Sequence, residues 1–408
     1  TILDADTYET LPGANVIILN SDPFLGTTSD MDGNFRIDNI PVGRHNIKIS
    51  FVGYKDILLN QIELITGNEL VLEIKMLEDV ETLNEVVVRA KERFGEPINA
   101  MVTTSAQKIS IESTSRVAAS INDPARTVQS FAGVSSDDDE NNELVVRGNS
   151  PRGMLWRMEG VEIPNPNHFT NGEGGSGGGV SALSSRVLDN SDFYTGAFAA
   201  EYGNALSSVF DLRLRKGNNE KHEFALQLGV MGLQASAEGP FSKKSNASYL
   251  FNYRYATTSI LNKAGFTIGD ADVYPEWQDL SFNINIPTKK FGTFNLWGLS
   301  GISSSAEEVP DDTASWNYRS DHFSYSENQK LAVAGLSNHY LLKNNRTYFK
   351  TVLSMSYTNN YNLEDSLDYN MNKTKLLDEE YIYQNSTASF MVNHKFNTKN
   401  LLRSGIIL

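Results

Sequence analysis

The second half of the chain alternates with a period of two, and few folds accept that. In SYLFNYRYA the residues Tyr249, Phe251, Tyr253 and Tyr255 share one face of an extended strand, and Leu250, Asn252 and Arg254 share the other. In DLSFNINI, Leu280, Phe282, Ile284 and Ile286 oppose Ser281, Asn283 and Asn285. In FKTVLSMSY, Phe349, Thr351, Leu353, Met355 and Tyr357 oppose Lys350, Val352, Ser354 and Ser356. Such strands build a soluble sandwich or a membrane barrel, and alternation alone fits both. Three details favour the barrel: an aromatic-rich apolar face, long strands, and unequal connections. Tight turns such as KNN (343–345) and PTKK (287–290) are expected to alternate with long polar loops such as 302–321 and 359–378.

Composition removes several classes of function. The net charge is −15, which argues against sequence-independent nucleic-acid binding. The chain has no cysteine, hence no disulfide framework, thiolate zinc site or cysteine nucleophile. No apolar run is long enough for a membrane helix, a test that barrel strands escape. The first residues, TILDADTYETLPG, already read as strand, without initiator Met or signal peptide, so the chain is expected to be processed or cropped there.

Residues 1–78 read as a small all-β domain. ANVIIL, GNFRI, HNIKISFVGY and ELVLEIKM are short β-rich runs divided by PG, DMDG and PVG turns, a spacing that suggests a sandwich. The pattern LPGANVIIL…GTTSDMDGNFRIDNIPVGRHNIKISFVGY resembles the carboxypeptidase-like regulatory domain, a transthyretin-like sandwich with no catalysis of its own. DMDGN, with Asp30, Asp32 and Asn34, echoes the start of a calcium loop but lacks its closing Glu, so a plain turn is expected.

Residues 79–94 form a charged connector around Val86, Val87 and Val88, and residues 95–215 carry mixed patterning with many glycines. Within them stand DPARTVQSFAGVSS, ELVVRGNSPRGMLWRMEGVEIPNPNHF and SDFYTGAFAAEYGNALSSVFDLRLRKGN. These resemble the plug domain of TonB-dependent outer-membrane receptors. In that family a "PGV" segment precedes an "RG" strand, a "DG" turn and a "YG…GG-V" segment leading into the barrel. The counterparts here are Ala132-Gly133-Val134, Arg147-Gly148, Glu159-Gly160 with Val161 and Ile163, and Tyr202-Gly203 with Val209. Two departures are Glu159 for the usual Asp and Ser207-Ser208 for the usual glycine pair. Singly each motif is weak, since Arg-Gly or Glu-Gly can be a bare turn; their order and spacing carry the resemblance. The order sandwich, connector, plug, barrel is that of receptors of the Bacteroidetes type.

The resemblance implies a mainly β protein: a transthyretin-like sandwich, an α+β plug and the first strands of a large transmembrane antiparallel barrel over 216–408. It implies an outer-membrane location in a Gram-negative bacterium, with the N-terminal domain in the periplasm. It also places a TonB box in the connector, where Glu85, Val86, Val87 and Val88 would add a strand to a TonB-type energy-coupling protein. An edge strand of the sandwich or plug accounts for the same valines. The region after the plug has 408 − 215 = 193 residues. At roughly 10 residues per strand plus loops, that makes about eight strands. A plugged transporter has about 22. With the chain ending at RSGIIL in mid-strand, an N-terminal fragment, or a barrel completed by other residues, is expected.

Enzyme signatures are missing. His45, His168, His222, His322, His339 and His394 are scattered, without metal-ligand spacing, and neither HExxH nor GxSxG occurs. GEGGSGGG (172–179) lacks the Lys-Ser/Thr of a P-loop and reads as a flexible loop, and SSDDDENNE (135–143) as a solvated acidic one. No cofactor or metal is expected. Substrate contacts are sought in PNPNHFTNGEGG, with Trp156, Asn165, Asn167 and His168 as candidates, and core packing is the alternative for Trp156. Luminal Asn252 and Arg254 are further candidates for lining a passage. The first reading is active import of an unidentified substrate. The second is a structural, accessory or signalling subunit on the same scaffold, with outer-membrane lipid, a surface lipoprotein or other subunits as partners. A soluble adhesin-like β protein is the third.

Overall fold

The computed structural model describes residues 1–67, 69–79, 99, 104–109, 114, 117, 123–136, 141–170, 177–229, 232–242, 245–256, 275–310, 313–316, 319–397 and 399–408. The candidate TonB-box residues Glu85 to Val88 lie outside them.

The N-terminal unit pairs β1 (Ile2–Asp4) in parallel with β6 (Ile74–Met76). Beside this pair lies an antiparallel sheet ordered β3 (Leu25–Thr28), β2 (Asn15–Ile18), β4 (Gly43–Ser50), β5 (Ile57–Leu64). Ile2, Ile74 and Met76 from the pair pack against Val16, Ile18, Ile47 and Ile49 from the sheet, giving two layers around one apolar core. The Asp30 carboxylate accepts the backbone N–H groups of Asp32 (2.9 Å) and Asn34 (2.8 Å). That is the Asx geometry of a plain turn.

The glycine-rich middle is built on a mixed sheet ordered β11 (Val161–Glu162), β10 (Met154–Met158), β15 (Ser208–Leu214), β14 (Leu188–Tyr194), β7 (Ala106–Ile109). The β10–β15 pairing is parallel and the others antiparallel. Two small ladders flank it: β8 (Val134–Ser135) with β9 (Val145–Val146), and β12 (Asn167–His168) with β13 (Val180–Ser181). A single-turn helix, Pro124–Thr127, is capped by Asp123, whose carboxylate accepts Ala125 N–H at 2.8 Å, with Pro at its first position.

The alternating region is one antiparallel meander: β16 (Glu223–Leu228), β17 (Leu233–Pro240), β18 (Ser248–Tyr255), β19 (Glu276–Thr288), β20 (Gly292–Glu307), β21 (Phe323–Leu341), β22 (Thr347–Leu367), β23 (Lys373–Asn397) and β24 (Asn400–Ile407). Nine strands stand among the described residues where the residue count suggested about eight. The expected loop 359–378 is mostly strand: β22 and β23 stay paired from Asn359↔Ile382 to Leu367↔Lys373, and only 368–372 turns. Polar residues such as Asn359, Asn362 and Glu364 read as loop, but backbone ladder bonds do not depend on side-chain polarity. A strand of 21 residues is far longer than the ~10 that cross a bilayer, so this hairpin projects beyond it. The expected loop 302–321 likewise begins as strand to Glu307; 3-10 turns at Thr313–Ser315 and Arg319–His322 follow.

Burial settles the choice between sandwich and barrel. The polar face of β18 and β19 is the buried one: Asn252 is 0% exposed, Ser281 4%, Asn283 3% and Asn285 5%. The apolar face is open, with Leu353 at 53% and Met355 at 68% on β22. A water-soluble sandwich does the reverse. An inside-out sheet is stable when its outer solvent is hydrocarbon. Its inner face holds the glycine-rich middle: Trp297, Leu299, Leu331, Val333 and Val352 from the wall join Trp156, Phe193, Phe210 and Leu212 in one apolar core. No described helix is long and apolar enough to cross a membrane.

Candidate functional site

The seam between the middle unit and the wall concentrates the buried polar chemistry. Asp279 of β19, 2% exposed, is gripped by Arg254 of β18 through Nε–Oδ1 (2.9 Å) and Nη2–Oδ2 (2.7 Å). The two residues are direct cross-strand partners, which presents the guanidinium to the carboxylate edge-on. From the other side His168 brings Nε2 to 3.3 Å from Asp279 Oδ2, and Arg254 also donates to the Ser181 carbonyl. The Arg254–Asp279 pair therefore joins β12 and β13 to the wall. Trp277 borders the group, 5.4 Å from the His168 ring and 5.2 Å from the Arg254 guanidinium. A turn away, Gln329 of β21 accepts Thr170 N–H (3.1 Å) and donates to the Asn167 carbonyl (3.2 Å).

Space is limiting here. A Cβ at Gly301 of β20 would lie 2.7 Å from His168 Cε1. Gly301→Val is expected to push the imidazole off Asp279 and lower the melting temperature of the micelle-solubilised protein by several degrees, with Gly203→Ala, where a Cβ meets nothing, as the control. An unchanged melt would show that the imidazole has room.

The motif residues meet as backbone pieces. Arg147 N–H donates to the Gly133 carbonyl at 2.8 Å, so the segments Ala132-Gly133-Val134 and Arg147-Gly148 are paired through β8 and β9. Arg147 (φ +51) and Gly148 (φ +74) turn the chain, and Arg147 Nη2 reaches Ser105 and Thr195 hydroxyls at 3.1 and 3.0 Å. Glu159 (φ +53) and Gly160 (φ +93) form the two-residue hairpin between β10 and β11 that favours left-handed residues. The longer Glu159 side chain accepts Leu214 N–H at 2.8 Å, at the end of β15. Tyr202 is buried and donates to Asp211 Oδ2 at 3.0 Å beneath the Arg157 guanidinium, 4.6 Å from its ring. Burial first, then the carboxylates of Asp211 and Glu201, push its phenol up, so it stays protonated. Gly203 has neither a positive φ nor a close neighbour.

Of the candidate substrate contacts, Trp156 is stacked on Phe210 at 5.0 Å inside the core, and His168 faces the wall. Asn167, 1% exposed, bonds Asn142, Asn165 and Gly177. Asn165 alone reaches open space. It lines a cavity of about 640 Å³ between residues 162–170 and the wall, with Thr170, Asn204, Asn360 and Asn385. Asn252 bonds Gln234 under the middle unit, so it and Arg254 are covered rather than open. The sequence reading missed Asp279 and Gln329; an acid and an arginine on the polar faces of successive alternating runs was the available signal. Among the described residues no three His, Asp or Glu group to hold a metal.

A glycine-rich unit seated by polar contacts on the buried polar face of an inside-out β-sheet has the arrangement of a plugged β-barrel. Residues 1–88 match the CarboxypepD_reg-like domain. The TonB-dependent transporter Oar of Myxococcus xanthus is 23% identical over 233 residues, 54% of this chain and 20% of that protein. The pyoverdine outer membrane receptor FpvA of Pseudomonas aeruginosa shares the fold at 13% identity and a TM-score of 0.52, covering 75% of this chain and 46% of the receptor. The ferric-catecholate import receptor Fiu of E. coli K12 aligns over 75% of this chain at a TM-score of 0.49 and 11% identity. The chain thus spans less than half of each of FpvA and Fiu and a fifth of Oar. The chain carries a CarboxypepD_reg-like domain, is similar in sequence to a TonB-dependent transporter and shares the fold of an outer-membrane receptor.

Proposed function

We propose that this protein imports a substrate across the outer membrane, energised through a TonB-type partner. The observation that carries the reading is the plug seated on the polar inner face of the wall: Asp279 holds both the wall's Arg254 and the plug's His168 in a buried polar contact. Residues 1–78 would be a periplasmic module, 79–94 the connector, 95–215 the plug and 216–408 wall. The wall and plug described above support that division. Substrate would enter over Asn165 and the surrounding amides, and the partner would pull on Glu85 to Val88 to rearrange the plug. No bond is made or broken, in keeping with relatives that are transporters and receptors.

Strand addition needs a free backbone N–H, which proline lacks. Val87→Pro is therefore expected to weaken binding to the periplasmic domain of the organism's own TonB-type protein at least about tenfold, equivalent to about 1.4 kcal/mol, with the melting temperature unchanged. Equal binding by the variant would remove the connector from the mechanism. Stable co-purified subunits with no need for a proton gradient would point to an accessory subunit instead.

A further inference from the structure

The N-terminal sandwich is seated across the short-turn end of the sheet, and its contacts are unusual for a permanent domain interface. Lys395, near the end of β23 and 9% exposed, lies among three sandwich carboxylates: Asp4 (3.2 Å), Asp6 (3.5 Å) and Glu78 (3.2 Å). Lys216 pairs with Glu73 and Lys221 with Glu69, while Arg36 returns the polarity to Glu220. Asn345, in the turn between β21 and β22, donates to Glu9 at 2.6 Å. The centre is aromatic: Tyr8 stacks on Tyr348 at 4.5 Å and 11°, with Lys75 over its other surroundings at 4.6 Å. Tyr8 is held at φ +60, a conformation that bulky residues seldom adopt, and it presents the ring to the wall.

Between sandwich, plug and wall lies a cavity of about 500 Å³, lined by Tyr8, Glu73, Arg213, Asn283, Thr293 and Lys350 among others. An obligate interface would be mainly apolar. This one is charge matching around one sandwich ring, Tyr8, which meets Tyr348 and His339 of the wall. Although partial burial alone would raise it, hydrogen bonds from Lys221, Arg36 and Asn218 hold the Glu69 carboxyl down at about 2, so these contacts are made with the charged form at neutral pH.

We propose that the acidic face of the sandwich is a removable cap, keyed by charge to the basic rim of the plug and wall, that closes the chamber beneath the plug and must leave before anything passes through it. The docking half stands on the contacts alone. The passage half rests on the import reading. Charge keying makes release sensitive to salt and to a competing basic or acidic surface, which an apolar seal would not be.

The 408 residues contain no cysteine, so introduced thiols report cleanly. In the full protein, Thr293→Cys places one inside the chamber, and Glu9→Cys with Asn345→Cys places a pair across the seam. The seam pair is expected to cross-link in isolated outer membranes. Labelling of Thr293→Cys by a bulky maleimide is expected to be slow, and about tenfold faster when Lys216→Glu and Lys395→Glu reverse the rim or when salt rises from about 0.05 to about 0.5 M. Because Lys395→Glu sits in a strand, Lys216→Glu with Lys221→Glu is the second variant, outside any strand. Fast labelling in the unmodified rim, or rates indifferent to both charge reversal and salt, would overturn the cap. An oxidised seam pair that still imports would overturn its gating role, whereas a reduced pair that also fails to import would count against the import reading and leave the labelling result to decide the cap.

Discussion

Asp279→Ala is expected to destabilise the seated plug by about 3–5 kcal/mol, the cost of removing one partner from a buried ion pair. The carboxylate is fully buried and serves two partners, so its loss strands the Arg254 guanidinium and frees the His168 imidazole. The guanidinium keeps the Ser181 carbonyl, which satisfies one of its five donors and none of its charge. Urea unfolding of the micelle-solubilised protein measures the loss, and Asp279→Asn, which keeps the shape without the charge, should fall between. A double variant, Asp279→Leu with Arg254→Met, is expected to recover much of the stability, because an apolar pair of similar volume has no desolvation penalty. If Asp279→Ala melts like the parent, the pair contributes nothing to holding the plug.

Leu353→Arg tests the outer face. Leu353 lies about six residues above the start of β22. At about 3.3 Å per residue and a ~45° tilt that is about 14 Å, close to the middle of a ~30 Å hydrocarbon layer. Arginine there should cost about 2–4 kcal/mol on folding into lipid vesicles. In water the same change at an exposed site would fall within about ±0.5 kcal/mol. Tyr361→Arg, in the part of β22 above the layer, is the control and should be near neutral. A neutral Leu353→Arg in vesicles would mean that lipid does not cover this face.

Much of the architecture was legible in the chain. Period-two alternation depends only on which residues neighbour each other along the backbone, so the strands around 248–255, 279–286 and 349–357 could be read directly. The motif segments could be placed for a similar reason: Arg147, Gly148, Glu159 and Gly160 are chosen by local backbone conformation, and all four adopt positive φ. The loop expected at 359–378 failed because its polar residues look solvated, whereas Asn360 and Asn362 are buried and the backbones pair. The candidate contacts Trp156, Asn167 and His168 were picked for residue type near an apical loop. Whether such a side chain meets substrate or wall depends on a surface some hundred residues further on.

What the sequence by itself determined is a set of two-faced strands, a small apolar sandwich and a glycine-turned plug sheet, because each follows from local spacing and backbone preference. Only the tertiary structure decided that the polar face turns inward, that Asp279 meets both Arg254 and His168, and that Lys395 sits among Asp4, Asp6 and Glu78. Alternation divides a strand into two faces without naming the solvent of either. The neighbour a buried charge finds is set by strand register and by how separately folded units dock.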